Sequence, residues 1–495
     1  MKNYNSKTAL INDKALDKHT KSNHGKPNIL IIHVDDLGYH DLSCKGSVLY
    51  NTPNIDKLSQ ESVNFTNAYA SYPRCVPSRY GMMTANYPVN ENKGHLEDIP
   101  EEQNFVKQFD KAGYNTYYIG KWHLGKDKAS PKGFGYTDSY AAGEAGGIAS
   151  RLYPFNIQRK NGKLGKYIVP DVEEDGKEGD YAADLLTDAT IDFIKNNPKD
   201  KPFLAVLAFY AVHTPIEAKP EDEARNKEQL KHIDFGDTPE YTYDGCRAKM
   251  RQDNPAYAGM VENVDENVSR LLNTLKELGI DDNTIIVLSS DHGGLSNSGL
   301  KKNRELATTN FPLRAGKDWL YEGGIRVPLF VKWGHHFEPR LEDKSIVLGM
   351  DVFPTLLDLA LNKKVDGVDG LSYKNVLEGK DSWEDRAVFW NEKKARPRRT
   401  GEHNSSVVRS GDYKLLHFFD DNRIELYNIK KDISESNDLT GQMPDKVNEL
   451  MALLKDWQKK HNIDNTKVNK DKKSKKKKEK HKHKHKKRER NKLNK

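Results

Sequence analysis

The sequence predicts an α/β fold: a doubly wound, mostly parallel sheet with a smaller α+β subdomain toward the C-terminal end. Three observations carry that expectation. Residues 28–34 (NILIIHV), 202–212 and 284–288 are near-continuous apolar runs, the pattern of parallel strands covered on both faces. Helical stretches separate these runs, so strand and helix alternate. Each run, with a shorter one at 115–119, releases polar, chemically capable residues at its end, where doubly wound sheets bind ligands.

Taken in order, the strand 28–34 leads directly into Asp35-Asp36. Residues 53–60 form a helix entered through Pro53, with Thr52 placed to cap it. Cys75 sits just ahead of a short helix that runs to Thr84. Pro77 falls in its first turn, where a missing N–H costs nothing. Residues 102–112 are helical and stop at Gly113; the strand 115–119 then leads to Gly120-Lys121-Trp122-His123. After a long helix over 181–196, the run 202–212 contains a strand and is followed by His213-Thr214-Pro215. A helix over 257–278 stops at Gly279, and the strand 284–288 leads to Ser289-Ser290-Asp291-His292. Short antiparallel strands at 387–390, 406–409, 413–416 and 425–427 precede a terminal helix over 443–459. The long irregular stretches 134–179 and 225–254 have the character of recognition loops.

This organisation gives a disordered leader (1–26), a catalytic-sized domain (27–380), a C-terminal α+β subdomain (381–464) and a disordered Lys/His-rich tail (465–495). The 495 residues suffice for two or three cores. Three cysteines, Cys44, Cys75 and Cys246, make no disulfide framework and have no metal-knuckle spacing. No apolar run approaches the ~20 residues that span a bilayer. The formal charge of +7 belongs to the tail. Residues 467–495 hold 17 Lys/Arg against 3 acids, which leaves the rest of the chain at −7. Such a tail either attracts polyanions by counterion release or is a solvated, nonspecific extension; without aromatic residues it offers no base stacking.

Cys75-Val76-Pro77-Ser78-Arg79 is the centre of the chain's chemistry. A cysteine at a helix start meets free N–H groups and a dipole that favour an anion, and Arg79 adds a forked, permanent cation one turn on. Taken alone, Cys75 also fits a packed structural thiol. Asp35 and Asp36 repel by roughly 4 kcal/mol at 4 Å and an effective dielectric of 20, a penalty that a divalent cation removes and that a solvated turn avoids. Asp291-His292 occupies the same expected sheet end. Lys121 and His123, two residues apart on a chain leaving a strand, share one side. His213 follows another strand, and the ordinary pKa of a histidine suits it to protonate a leaving group near pH 7.

Cys-x-Pro-Ser-Arg resembles the signature of type I sulfatases, in the alkaline phosphatase superfamily. Gly120-Lys121-Trp122-His123-Leu124-Gly125 and Lys317 through Pro328 are likewise similar to segments of that family, and the resemblance runs from about Pro27 to His461. The family pattern ends in Thr-Gly where this chain has Thr84-Ala85, a departure away from the reacting groups. The resemblance implies that Cys75 is oxidised to formylglycine (3-oxoalanine) by a formylglycine-generating enzyme, its hydrate being the nucleophile. It implies a metal shell of Asp35, Asp36, Asp291, His292 and residue 75; oxygen ligands suit Ca²⁺, with Mg²⁺ the other choice. It further implies that Arg79, Lys121 and Lys317 hold sulfate oxygens, that His123 serves the hydrate as partner and base, and that His213 protonates the departing alcohol. The expected function is hydrolysis of a sulfate ester on a sulfated carbohydrate. A phosphodiester or phosphonate monoester hydrolase of the same superfamily, and a non-catalytic polyanion-binding protein, are the competing readings. Met1 to Lys26 shows no secretory signal, which as written predicts a cytoplasmic protein, whereas glycan-active members of this family are often exported.

Overall fold

The computed structural model describes residues 25–89, 95–156, 167–299 and 304–465. The expected leader up to residue 24 and the basic tail from 466 lie outside the described residues. The central sheet has eight strands: β1 (Asn28–Val34), β2 (Val63–Phe65), β3 (Asn115–Gly120), β4 (Asp138–Tyr140), β5 (Phe203–Ala208), β6 (Thr284–Ser290), β7 (Leu329–Trp333) and β8 (Arg340–Glu342). Their spatial order is β8-β2-β7-β6-β1-β5-β3-β4. Only β7 runs against the rest, pairing antiparallel with both β6 and β2. The sheet is therefore mostly parallel, as the apolar runs predict.

Burial follows from strand geometry. Successive side chains point to opposite faces. Leu30, Ile32 and Val34 of β1 pack into one core with the helices α1 (Pro53–Gln60), α4 (Ala182–Asn196) and α5 (Pro255–Glu277). Ile29 and Ile31 pack into a second core with α2 (Cys75–Thr84), α3 (Phe105–Lys111) and α6 (Val352–Leu361). Each fully buried Ile or Leu is worth about 1.5–3 kcal/mol, which fixes which face each helix covers. Close approach sets one glycine: at Gly120 (φ 87°) an added Cβ would lie 2.1 Å from the Ala208 carbonyl oxygen of the neighbouring strand.

The C-terminal strands β9 (Val388–Glu392), β10 (Ser405–Ser410), β11 (Tyr413–Phe418) and β12 (Ile424–Asn428) form an antiparallel sheet in chain order. One face (Trp390, Val407, Leu416, Tyr427) meets Trp319 and Tyr321; the other (Val408, Leu415, Leu426) packs on α7 (Pro444–Lys460). Trp390 donates to the Ala70 carbonyl at 2.9 Å, which locks this sheet to the segment preceding Cys75.

Several local expectations need correction. Thr52 stands at the α1 N-cap position but caps nothing, because its hydroxyl donates to Asp56 and accepts from Ser43 N. The helix expected over 102–112 begins at Phe105, where Asn104 caps Lys107 N at 3.1 Å. Cys75 is the first residue of α2 and not the residue ahead of it; Arg74 holds the extended N-cap position. Ala85, where the family pattern has Gly, adopts the left-handed conformation (φ 54°), a strained choice for Ala of order 1 kcal/mol. The stretch 225–254 is not wholly irregular: it holds the end of the helix Pro220–Leu230 and the hairpin Tyr241–Asp244 and Cys246–Lys249.

Candidate active site

The four strands that end in polar residues are neighbours: β6, β1, β5 and β3 are consecutive in the sheet. Parallel pairing places their carboxyl ends side by side, so Asp291-His292, Asp35-Asp36, His213 and Lys121 with His123 emerge along one edge. The N-terminus of α2 and the loop bearing Lys317 close over that edge. All ten expected site residues converge there.

At the floor each carboxylate has its own cation. Lys121 pairs with Asp35, Lys317 Nζ lies 2.5 Å from Asp36 Oδ1, and Arg79 holds Asp291 Oδ2 at 3.2 Å from both Nε and Nη2. Arg79 also donates to the Lys121 carbonyl at 2.7 Å, which ties two of the strand ends together. Lys121, Asp35, Asp291 and His292 are fully buried. Burial alone would raise the Asp36 carboxyl; Lys317 and His213 outweigh it and hold the group at about 2. Against burial, Asp291 and Asp35 raise the Arg79 guanidinium above its usual range.

Cys75, 7% exposed, faces this floor. Its Sγ lies 3.2 Å from His292 Nε2 and 3.6 Å from Lys317 Nζ. Here Sγ marks the place that the hydroxyl oxygens of an oxidised residue 75 would take.

The donor set fits a divalent cation. Ligand atoms of Asp35, Asp36, Cys75 and His213 form one group and those of Asp35, Cys75, Asp291 and His292 a second, overlapping one; the atoms within each lie within 4.8 Å of one another. Asp35 Oδ1 and Asp36 Oδ2 are buried and accept no hydrogen bond. His292 Nδ1 sits 3.1 Å from the Gly293 carbonyl, which requires a proton on Nδ1. Nε2 then faces Asp36 Oδ1 at 3.4 Å and Asp291 Oδ1 at 3.6 Å. A lone pair aimed at two carboxylates needs a positive charge between them. Without a metal that charge is a second proton: despite burial, Asp291 and Cys75 raise the ring to about 9.

The other two histidines are neutral. Burial, then Lys121 and Arg79, lowers His123 to about 2. Burial, then Lys317, lowers His213 to about 4. His213 Nδ1 lies 2.7 Å from the Thr214 carbonyl and so carries the proton, leaving the Nε2 lone pair 4.0 Å from Asp36 Oδ2. His213 is therefore in place for proton transfer but rests in its basic form.

The site opens into a cleft of about 870 Å³. Glu144, Ala145, Gly146 and Tyr167 of the first expected recognition loop line it; the second expected loop, 225–254, does not. In its place the C-terminal region contributes Lys394, Arg396 and Arg399, with Arg74, Arg304 and Asp318 beside them. Sequence reasoning missed these, although the basic run from Lys393 to Arg399 was a visible signal. It also missed Gly146, where an added Cβ would lie 2.4 Å from His123 Cε1. Arg326, in the same family-like segment as Lys317, holds the fold together instead: it pairs with Glu322 at 2.8 Å and donates to the Thr66 carbonyl at 2.7 Å. Cys44 and Cys246 form no disulfide and lie outside the site.

A buried cysteine ringed by cations and acids at a parallel sheet edge is the layout of a hydrolase of alkaline-phosphatase-like architecture. Residues 27–362 match the Sulfatase family, and residues 315–483 match the family described as N-sulphoglucosamine sulphohydrolase, C-terminal. The chain belongs to the sulfatase family and is a sulfuric ester hydrolase. It is 29% identical to a protein named "Sulfatase" from Formosa agariphila, with 92% of each chain covered. It is 28% identical to an N-acetylglucosamine-6-O-sulfatase from Bacteroides thetaiotaomicron, over 88% of this chain and 87% of that one. Among solved structures, Ps i-CgsB in complex with k-i-k-neocarrahexaose superposes with a TM-score of 0.68 at 28% identity, covering 87% of this chain and 92% of that one.

Proposed function

We propose that this sulfatase removes sulfate from a sulfated carbohydrate, using formylglycine made from Cys75 and one divalent cation. The observation that carries the reading is the convergence on residue 75 of three carboxylates, three cations and three histidines from distant parts of the chain. The relatives support the carbohydrate class: one is named for a sulfated aminosugar, and another was solved with an oligosaccharide.

Asp35, Asp36, Asp291 and His292, with residue 75, would hold the cation, and the oxygen-rich set favours Ca²⁺ over softer metals. A cation held there would neutralise charge and lower the pKa of a hydroxyl at residue 75. A hydrated aldehyde supplies two hydroxyls, one to attack sulfur and one whose deprotonation expels sulfate; a thiol or serine has no second hydroxyl.

The remaining work falls to this chain's side chains. Arg79, Lys121 and Lys317 bring fixed positive charge to the site, in a dry setting where no solvent reorganisation is needed. Lys317 reaches both Asp36 and residue 75, which places it to hold a sulfate oxygen beside the nucleophile. His123, neutral and with Nδ1 unpartnered, accepts the proton from the second hydroxyl. His213 must first take a proton on Nε2, and an arriving sulfate anion favours that step. It then delivers the proton to the leaving alkoxide.

The test is a parallel assay of p-nitrophenyl sulfate and bis-p-nitrophenyl phosphate with protein from the native source. Hydrolysis of the sulfate ester in clear preference is expected; a clear preference for phosphorus overturns the reading. In the same preparation, Ca²⁺ at a hundred times its Kd stabilises chelator-treated protein by about 2.7 kcal/mol if the acids hold it. An unmoved melting temperature contradicts the cation site.

A further inference from the structure

We infer that the mouth of the Cys75 cleft is a second anion subsite, so that the substrate carries another sulfate or carboxylate beside the ester that is cleaved. This rests on the sulfatase reading above and narrows its substrate class. The whole-chain charge makes the cleft unusual. Outside the tail the chain is net acidic, yet the cleft walls carry Arg74, Arg304, Lys317, Lys394, Arg396 and Arg399 against three carboxylates. Only Lys317 of these six belongs to the catalytic floor.

Three of the five mouth cations converge on one buried acid. Asp318, 1% exposed, pairs with Arg74 at 3.0 Å, with Arg304 at 3.6 Å and with Arg396. Arg74 is further paired with Glu392 and, at 3.4 Å, with Glu402, and Asp318 Oδ2 accepts no hydrogen bond, so the cluster is mispaired rather than saturated. Buried N–H groups of Arg304 (Nη1) and Arg396 (Nε) are left without a hydrogen-bond acceptor. Glu402 cannot fully make up the deficit: burial, then the charge of Asp318, raises it to about 7. Its nearest approach to Arg396 Nε is 3.7 Å. Arg399 is exposed and has no carboxylate within ion-pair distance among the described residues. Unsatisfied guanidinium donors beside a spare, solvent-facing guanidinium make a site for a planar or tetrahedral oxyanion. Asp318 adjoins Lys317 in sequence, so the subsite and the sulfate-holding floor share one loop.

Both a second sulfate ester and a uronate carboxylate present this chemistry. They are separated by competition against p-nitrophenyl sulfate hydrolysis, with three kinds of probe. These are monosulfated N-acetylhexosamine glycosides, their disulfated forms, and monosulfated disaccharides that carry a uronate. At least one dianionic class is expected to inhibit at least tenfold more tightly than the monosulfated class, and whichever does so names the second anion. The double variant Lys394→Ala/Arg399→Ala, at two exposed positions, should reduce that preference to less than threefold. Arg399→Lys, which keeps charge but not the fork, should retain part of it. Equal inhibition by mono- and dianionic probes, or a preference unchanged in the double variant, overturns the subsite. A wild-type protein inactive on p-nitrophenyl sulfate despite a modified residue 75 would instead overturn the parent reading, so the two failures are distinguishable.

Discussion

The floor and the mouth of the Cys75 cleft are both crowded with ionised groups, and they are built on opposite plans. At the floor, charge is matched residue by residue: Lys121 to Asp35, Lys317 to Asp36, Arg79 to Asp291. These groups come from three strand ends (β6, β1 and β3), one helix start and one loop, and almost all are fully buried. At the mouth, three arginines share Asp318, while Arg399 stands exposed. Breaking one partner of a buried pair costs about 3–5 kcal/mol, so the floor can change little without unfolding its surroundings. Exposed charges at the mouth carry little stability. The contrast teaches where this architecture keeps its chemistry and where it can vary its substrate.

The comparison is sharpened first by His213→Ala. Loss of a general acid lowers kcat by about 10²–10⁴-fold for a sugar alcohol leaving group, with little change in KM. p-Nitrophenolate needs no proton to leave, so its rate should fall far less. Equal losses on both substrates would remove His213 from the leaving-group side. Next is Gly146→Ala. Its Cβ would push on the His123 ring, and a displacement of the order of 1 Å there costs about 10²-fold in kcat. The melting temperature should move little; an unaffected kcat would show that His123 tolerates displacement or does no work.

The smallest effect lies behind the floor. Asp41 accepts hydrogen bonds from Gly38 N and Tyr257 Oη at 2.7 Å and from Thr308 Oγ1 at 2.6 Å. Burial raises it to about 6, against those hydrogen bonds, from an unfolded value near 3.8. Between about pH 4 and 6 the folded chain keeps a proton that the unfolded chain releases. The stability this group contributes is therefore full below pH 4 and lost as pH rises through 6, by about 3 kcal/mol. Asp41→Asn should abolish that loss, measured as the difference in denaturation free energy between pH 4 and pH 7. An identical pH dependence in the variant would contradict the assignment.

The floor was legible in the sequence because each of its strands is a long apolar run that stops at a polar residue. β1 and β6 are marked in this way, and their partners in the sheet carry the other half of the site. Three-residue strands such as β2 and β8 show no period to read, and their pairing with β7 or with each other joins residues more than 260 positions apart. The end of β5 was blurred because Phe209 to Val212 continue the apolar run past Ala208 and are all buried. The mouth was missed for a different reason. Its basic run could be seen, but nothing local says that Arg396 meets Asp318 or that Arg74 meets Glu392, 318 residues away.

The central claim is that the groups of the floor serve an aldehyde at residue 75. It is tested most directly by mass spectrometry of the peptide containing Cys75, isolated from the native source and scored beside the activity of the same preparation. The peptide should be about 18 Da lighter than the encoded cysteine form, and activity should scale with the modified fraction. Full sulfatase activity in a preparation whose Cys75 is entirely unmodified would contradict the account.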